Sequence, residues 1–369
     1  MIHLLINSDM IDINWNGQAD DGVTDSNPPT AAAFLDVIEN EFSAELNEET
    51  PLYIYMQGHG TSDGRFKVLG DDEFVTAPQI AQALDSIQSR TGCKVILILE
   101  SCYSGNFIPE LSGENRVIVT SAGGEPYNTD ASGNISFSAF LFSKLMEGDH
   151  FKKAFDVAGD NLTAVNYPAP ALDDNDDKKY DFNDGLLAAD TWLTGNLSWG
   201  LKPVIMEAEA AQVLEGASEL PIRVKITAGD TQTQRVWAQI IAPDANITGG
   251  TTTIAYPESQ LLLNPASGLY EGTLGGLYRA GLWKIVIHAE ESDHDVSDPF
   301  VIWVSASGMP GPGDISSDGK VDLTDAVKGL RILCGAETPD GDITHADADG
   351  DGDVGLEEII FILREVSGQ

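Results

Sequence analysis

The chain has 369 residues, of which 42% are hydrophobic, so it can bury a substantial core in two or three domains and is not globally disordered. Its 59 acidic and 20 basic residues give a net charge of −39. An acidic surface repels nucleic acid and anionic membranes, so neither is an expected partner, and the sequence contains no apolar run long enough to predict a membrane span.

Residues 1–200 alternate short apolar runs with helical stretches. The runs are HLLIN, LYIYM, KVILILE and RVIVTSA, and the helical stretches include TAAAFLDVIENEF and APQIAQALDSIQ. This alternation predicts an α/β domain in which a parallel sheet is flanked by helices. Because the runs are apolar throughout, we expect strands that are buried on both faces. The start, MIHLLINSDM, lacks the charged region and long apolar run of a signal peptide, so none is predicted in this chain.

Two of these predicted strands end in residues that suit nucleophilic catalysis. LYIYMQGHG ends in His59 and Gly60, and KVILILESCYSG carries Cys102 just after its apolar run. Reacting groups collect at the carboxyl ends of strands in open α/β sheets, so His59 and Cys102 are predicted to face one cleft. A thiolate is a nucleophile, and a nearby imidazole can take its proton and later protonate the leaving amine. The amides of Gly60 and Cys102 are the candidate oxyanion donors.

Each of these residues also has a simpler interpretation. A lone cysteine at a strand end is usually a small buried hydrophobe, and a lone histidine before glycine usually belongs to a turn. The catalytic interpretation is favoured because both residues end apolar strands and both are flanked by small residues. The other cysteines are Cys93, interpreted as structural at the far end of the same strand, and Cys334; three cysteines are too few for a disulfide framework or a zinc site.

The His-Gly and Glu-Ser-Cys-Tyr-Ser-Gly motifs at His59 and Cys102 resemble clan CD cysteine peptidases, in particular the bacterial relatives of legumain in the C13 peptidase family. The likeness continues in RVIVTSAGGEPY and GNISFSAFLFSKLMEG and covers about residues 1–195. Caspase-like sheets begin with a strand and a helix ahead of the strand that HLLIN resembles. The chain is therefore expected to lack the first strand of such a sheet.

The resemblance implies a caspase-like fold and a cysteine endopeptidase that acts on peptide or protein substrates. It implies a catalytic dyad of His59 and Cys102, with Gly60 as the oxyanion glycine. The substrate pocket that it implies includes Ser121, Ala122 and Glu125. Peptide ligation is a weaker alternative, because an amine can resolve the same acyl-enzyme in place of water.

The sequence pattern changes over residues 201–307. The strand-like segments LPIRVKIT, RVWAQIIAP, GLYEGTL and GLWKIVIHAE are separated by Gly, Pro and Asn, which predicts an immunoglobulin-like β-sandwich. Its Trp237, Tyr270 and Trp283 are interpreted as core or strand-face residues rather than as a sugar platform, so we expect a spacer or adhesive domain. Residues 308–313, GMPGPG, form a predicted Pro/Gly linker to a final module over residues 314–369.

The final module repeats a loop with the ligand spacing of an EF-hand, each copy followed by an apolar helix. The ligands expected in the first copy are Asp314, Ser316, Asp318, the Lys320 carbonyl, Asp322 and Asp325. Those expected in the second copy are Asp347, Asp349, Asp351, Asp353 and Glu358. Calcium needs six to eight hard oxygen ligands, so both loops predict structural calcium rather than an acidic solvated turn, and no organic cofactor is expected.

Two further loops partly match the ligand spacing of an EF-hand. One lies in the peptidase-like region and offers Asp173, Asn175, Asp177, Asp181 and Asp184, with Lys178 where the schedule has glycine. It is a candidate calcium loop, with a solvated acidic turn as an equal alternative. The second, Asp12 to Asp20, has no acid at its last position, and we predict no tight site there.

A loop followed by a helix, repeated twice, resembles a type I dockerin. The resemblance implies a cohesin-like partner module, contacted at Leu323, Thr324, Leu356 and Glu357. Free calcium is abundant outside cells, so the loops favour a bacterial protein that is extracellular or attached to the cell surface. The alternative is a catalytically weak or inactive surface protein that binds or adheres through the sandwich and the dockerin-like module.

Overall fold

The computed structural model of the protein describes residues 30–69, 73–130, 133–193, 201–215, 218–243, 245, 255–292, 294–307, 310–339 and 343–367. The chain divides into two compact units, the first Met1–Trp199 with Gly250–Ile254 and the second Gly200–Gly249 with Ala255–Gln369. The predicted strand HLLIN and the loop from Asp12 to Asp20 lie outside the described residues. No described helix is both long and apolar enough to cross a membrane.

The first unit contains helices and strands in alternation. In chain order they are α1 (Ala31–Asp36), β1 (Leu52–Gln57), β2 (Arg65–Leu69), β3 (Glu73–Thr76), α2 (Ala77–Thr91), β4 (Val95–Glu100), α3 (Ile108–Leu111), β5 (Arg116–Thr120), α4 (Phe137–Met146), α5 (Phe151–Ala164), β6 (Ala171–Asp173) and α6 (Leu186–Ala189). A π-helical turn, Val37–Glu41, extends α1, and a 3-10 turn, Ser104–Phe107, precedes α3.

The main sheet of the first unit has the order β1-β4-β5-β6. The strands β1, β4 and β5 are parallel, as the sequence predicts, and β6 is antiparallel to β5. Every residue of β4 and β5 is buried, which confirms the expectation of strands covered on both faces. The strand β1 instead alternates buried and exposed residues, because it is the end strand of the described sheet.

Helix α2 immediately precedes β4. It starts with a capping box, in which Thr76 and Gln79 satisfy each other's backbone amides, and it ends at Gly92, whose φ of 70° suits the left-handed cap. Its buried residues recur at helical spacing and are Ala77, Ile80, Ala83, Leu84 and Ile87. They pack in one core with β1 and β4. This packing fixes where β4, and therefore Cys102, emerges from the sheet.

The second unit contains two sheets. Its strands are β7 (Val204–Ala210), β8 (Val213–Leu214), β9 (Leu220–Thr227), β10 (Thr233–Ile241), β11 (Glu258–Gln260), β12 (Leu262–Asn264), β13 (Leu269–Leu274), β14 (Gly281–Glu291) and β15 (Phe300–Ala306). One sheet has the order β11-β10-β14-β15-β8 and the other β12-β13-β9-β7. Buried residues of both sheets, such as Ile222 and Ile285, belong to one core.

The same unit ends in helices α7 (Leu323–Leu333) and α8 (Leu356–Ser367). Their shared core consists of Ile315, Ala326, Ala346, Ile359 and Ile362. Arg279, in the loop before β14, forms an ion pair with Glu365 on α8.

Candidate active site and metal-binding loops

Strand pairing brings the His59 and Cys102 segments together. The strands β1 and β4 pair in register up to Gln57 and Glu100, and the amide of Gly58 continues the ladder by donating to the Glu100 carbonyl (3.1 Å). His59 and Cys102 each follow two residues after the last pair. A Cβ on Gly60 would lie 2.2 Å from the Cys102 carbonyl oxygen, so the two strand ends are in direct contact. Both residues therefore lie at the carboxyl edge of the parallel sheet.

A tight turn carries Cys102 out of the sheet. Tyr103, the next residue, has a φ of 57°, and the 3-10 turn at Ser104–Phe107 follows at once. Gly105 packs directly on the backbone of Gly123, where a Cβ would come within 2.7 Å of the Gly123 Cα. The turn leaves Cys102 half-buried at the surface, whereas Cys93 is fully buried and Cys334 is exposed.

The side chains of the two residues are not hydrogen-bonded to each other in the structure. The Cys102 thiol donates to the carbonyl of Tyr127, with 3.8 Å between sulfur and oxygen. The His59 ring is exposed and makes no hydrogen bond with another described residue, while its backbone carbonyl accepts from Lys67 of β2 (2.9 Å). Catalytic hydrogen bonds are often loose without substrate, so an exposed, unengaged imidazole remains free to turn toward the thiol.

The amides at the strand ends suit an oxyanion site. Neither the Gly60 nor the Cys102 amide donates a hydrogen bond within the described residues. The hairpin of β2 and β3 lies beside this segment through the bridge of Gly60 to Phe66. The backbone of Gly60 is thus held in place while its N–H stays available to a developing oxyanion.

Three residues that the resemblance assigns to a substrate pocket fall into two groups. Ser121 and Ala122 are fully buried and hydrogen-bond to the residues on either side of Cys102 and Tyr103. The Ser121 hydroxyl accepts from the Ser101 amide (3.1 Å), and the Ala122 amide donates to the Ser104 hydroxyl (3.1 Å). These hydrogen bonds support the turn after Cys102, and the contact of Ser121 and Ala122 with substrate stays a prediction. Glu125 is exposed, and its contact with substrate stays a prediction.

Sequence reasoning missed a buried carboxylate near Cys102. Glu100 is 2% exposed and accepts hydrogen bonds from the Tyr55 hydroxyl (2.6 Å), the Tyr127 hydroxyl and the Ser138 amide (3.2 Å). Burial, together with the neighbouring Glu100 charge, raises the pKa of both tyrosines well above its ordinary value, so both stay protonated donors. Since the Tyr127 carbonyl accepts from Cys102, the network positions the Cys102 thiol. The only local signal is a glutamate that ends an apolar strand.

The acidic loop between β6 and α6 gathers three predicted metal ligands. Carboxylate oxygens of Asp173, Asp177 and Asp184 lie within 4.8 Å of one another. Asn175 is exposed, and its side-chain oxygen accepts from the Asp177 amide (2.9 Å). Carboxylates and an amide oxygen are the donors that calcium binds.

The two loops of the final module fold alike. In the first, the Asp314 carboxylate accepts from the Gly319 amide (2.8 Å), and in the second, Asp347 accepts from Gly352 (2.8 Å). Asp325 accepts from the Ser316 amide, and Glu358 accepts from the Ala348 amide.

The remaining predicted ligands of these loops are placed less uniformly. Carboxylate oxygens of Asp347, Asp349 and Asp351 lie within 4.8 Å of one another, whereas no three acids of the first loop do so among the described residues. There, Asp322 caps α7 by accepting from the Thr324 amide (2.6 Å). Asp318 accepts from the Lys320 amide, and Asp353 donates its amide to Asp351. These carboxylates have further lone pairs that a cation can use.

Comparison with solved structures gives only weak likenesses. The fibronectin(III)-like modules of Clostridium thermocellum CbhA are 17% identical, with a TM-score of 0.19 over 29% of this chain and 48% of theirs. A β-glucosidase from Listeria innocua in complex with glucose is 10% identical, with a TM-score of 0.22 over 76% of this chain and 40% of that chain. The chain thus spans less than half the length of each, and neither likeness bears on its fold.

Comparison with sequences is more informative. No curated protein matches the chain. The model of the peptidase C13 family matches residues 30–147, a segment that contains both His59 and Cys102. This match supports a cysteine peptidase in the first unit.

Proposed function

We propose that this chain is a cysteine endopeptidase that uses Cys102 as its nucleophile and His59 as its general base and acid. The observation that carries the proposal is the contact of the two strand ends, where Gly60 packs against the Cys102 carbonyl. That contact puts a thiol and an imidazole on one edge of a sheet, inside the segment that matches the C13 family. Acyl transfer needs this pair of groups together with free backbone donors.

The proposed reaction has two steps. The His59 imidazole takes the Cys102 proton, and the thiolate attacks the scissile carbonyl carbon to form a tetrahedral oxyanion that the Gly60 and Cys102 amides stabilise. Collapse breaks the C–N bond, and the imidazolium gives its proton to the leaving amine. Water then attacks the thioester with His59 again as base, which releases the acid product and restores the thiol. To begin, the Cys102 thiol has to leave the Tyr127 carbonyl for His59.

Covalent labelling tests this proposal. A peptide probe that carries an acylating or alkylating group should label the wild-type chain and fail to label Cys102→Ala. Cys334→Ala is the matched control, because Cys334 is the exposed thiol that would be labelled by reactivity alone. His59→Ala should slow labelling without changing the unfolding midpoint. Labelling that persists in Cys102→Ala would refute the proposal and favour a surface binding protein with a relic peptidase fold.

The final module supports a second proposed role, calcium-dependent attachment to a cohesin-like partner. Leu323, Thr324, Leu356 and Glu357 are all exposed at the starts of α7 and α8. The two helices also expose an apolar set consisting of Val327, Leu330, Leu333, Ile360, Leu363 and Val366. Exposed apolar patches of this kind favour a protein partner, and the immunoglobulin-like sheets before them would act as a spacer.

Chelation tests the calcium part of this role. Ligand present at 100 times its Kd stabilises a fold by about 2.7 kcal/mol, so removal of calcium should lower the melting temperature of the full chain. Asp347→Asn should weaken that calcium response, and Asp298→Asn, at a half-buried position outside both loops, should leave it unchanged. A melting curve that calcium does not shift would contradict the metal loops. An extracellular or cell-surface location follows if the loops need the calcium levels found outside cells.

A further inference from the structure

The loop from Asp173 to Gly185 in the first unit has an unusual electrostatic environment. Asp173 is 1% exposed, and its Oδ2 atom accepts no hydrogen bond from a described residue. The Oδ1 atom of Asp184 is likewise buried without a partner. A buried carboxylate oxygen without a partner is costly, and native folds rarely leave one. Both residues belong to a trio with Asp177, in which one carboxylate oxygen of each residue lies within 4.8 Å of the other two.

The described residues form no ion pair between this trio and a basic side chain: no lysine, arginine or histidine among them pairs with Asp173, Asp177 or Asp184. Burial is the main cause that raises the pKa of Asp173 and of Asp184, and neighbouring aspartates raise both further. Three converging carboxylates with two unsatisfied oxygens call for a cation.

The donor atoms select the kind of cation. They are all oxygens, with the amide oxygen of Asn175 nearby and no histidine or cysteine among them, which disfavours zinc and other transition metals. A single loop that bends around one point gives the irregular oxygen cage that calcium accepts, whereas magnesium demands a near-ideal octahedron. Asp174 takes no part, because its carboxylate caps α6 by accepting from the Gly185 and Ala188 amides (2.7 Å each).

The same loop reaches the segment behind the nucleophile. The Lys178 amide donates to the Ser112 hydroxyl (3.3 Å). The Tyr180 hydroxyl lies 3.4 Å from the position that a Cβ on Gly123 would occupy, next to the Glu125 carboxylate. Gly123 in turn accepts the Gly105 amide of the Cys102 turn (3.0 Å). Gly123 therefore lies between Tyr180 and the turn that follows Cys102.

We propose that Asp173, Asp177 and Asp184 bind a calcium ion that holds this loop in place, so that Tyr180 stays against Gly123 and forms a wall of the substrate cleft beside Glu125. The ion thereby makes peptide cleavage calcium-dependent, a consequence that rests on the proposed peptidase function. The calcium site itself is independent of that function. Without the ion, three like charges repel one another and the loop loosens, which withdraws Tyr180 from the cleft.

Hydrogen exchange read by mass spectrometry tests the site in the full chain, because it reports on peptides from residues 174–185 separately from the calcium loops of the final module. Calcium should slow exchange in these peptides at least several-fold relative to chelator. Asp177→Asn should abolish the difference, and its exposed position keeps the fold intact. Asp176→Asn is the matched control: it makes the same charge change in the same loop at a φ of 63°, which asparagine tolerates. Equal exchange with and without calcium, or an unaltered response in Asp177→Asn, overturns the site.

Labelling of Cys102 by the peptide probe then tests whether calcium regulates the proposed cleavage. The wild-type chain and Asp176→Asn should label at least ten-fold faster with calcium than with chelator, and Asp177→Asn should label slowly in both. Calcium-independent labelling, with exchange that responds to calcium, overturns the regulation and leaves the site standing. A wild-type chain that never labels overturns the peptidase function and the regulation with it, while the exchange result judges the calcium site by itself.

Discussion

Replacing Gly60 by alanine tests the contact on which the proposed catalytic site depends. The backbone of Gly60 does not adopt a left-handed conformation, so alanine is allowed there and its effect is steric alone. The added Cβ would lie 2.2 Å from the Cys102 carbonyl oxygen and 2.6 Å from the Ser101 hydroxyl, where ordinary contacts begin at 3.4 Å. The strand ends would have to separate by about 1 Å, since atoms repel steeply at shorter range.

A displacement of that size has two measurable consequences. Misplacement of reacting groups by about 1 Å costs on the order of 100-fold in rate, so Gly60→Ala should label with the peptide probe about 100-fold more slowly than wild type. Overpacking costs about 1 to 3 kcal/mol, which denaturant unfolding of the first unit should detect. Gly58→Ala is the matched control, because its Cβ would meet only the Phe66 ring at 3.0 Å. A Gly60→Ala chain that keeps wild-type labelling and stability would refute the placement of the two strand ends.

Two further predictions concern buried polar groups. Glu100→Gln retains the shape of the side chain but replaces one acceptor oxygen by an amide donor that faces a tyrosine hydroxyl. Denaturant unfolding should therefore show that the free energy of unfolding falls by about 1 to 3 kcal/mol, and probe labelling should slow. An unchanged unfolding midpoint would argue against the network. In the second unit, burial lowers the pKa of His288 to about 3, below its ordinary value of 6.5, so stability that is present above pH 6.5 is lost as the pH falls toward 3. The loss at pH 4.5 is about 2 to 3 kcal/mol, and tryptophan fluorescence during denaturant titration should show that His288→Phe removes this slope while the exposed His294→Gln keeps it.

The parts of the fold that the sequence could predict are those in which one face or both faces are uniformly apolar. The strands β4 and β5 are apolar at nearly every position because helices cover both faces, and α2 shows its buried face at helical spacing between two clear caps. The β2–β3 hairpin was not predicted, since its short strands mix charged and apolar residues. The three-residue strand β6 is too short to carry any period.

The residues of the candidate site also differ in whether the sequence could predict them. His59 and Cys102 could be found because a rule about strand ends converts a linear pattern into a location. Glu100 could not, because its partners Tyr55, Tyr127 and Ser138 come from three other segments that only the folded chain brings together. The burial of Ser121 against the segment around Cys102 is likewise a property of packing rather than of local sequence.

The hydrogen bonds around Glu100 also explain why the Cys102 thiol is not hydrogen-bonded to His59 in the structure. The Cys102 thiol donates a hydrogen bond to the Tyr127 carbonyl, and it has to give up this bond before it can donate to His59. Tyr127 cannot move away easily, since its buried hydroxyl binds both Glu100 and the Phe137 amide (2.8 Å). The mobile partners are therefore the thiol itself and the exposed His59 ring. Activation by rotation of these two side chains requires a backbone that does not move, and the close packing of Gly60 on Cys102 provides it.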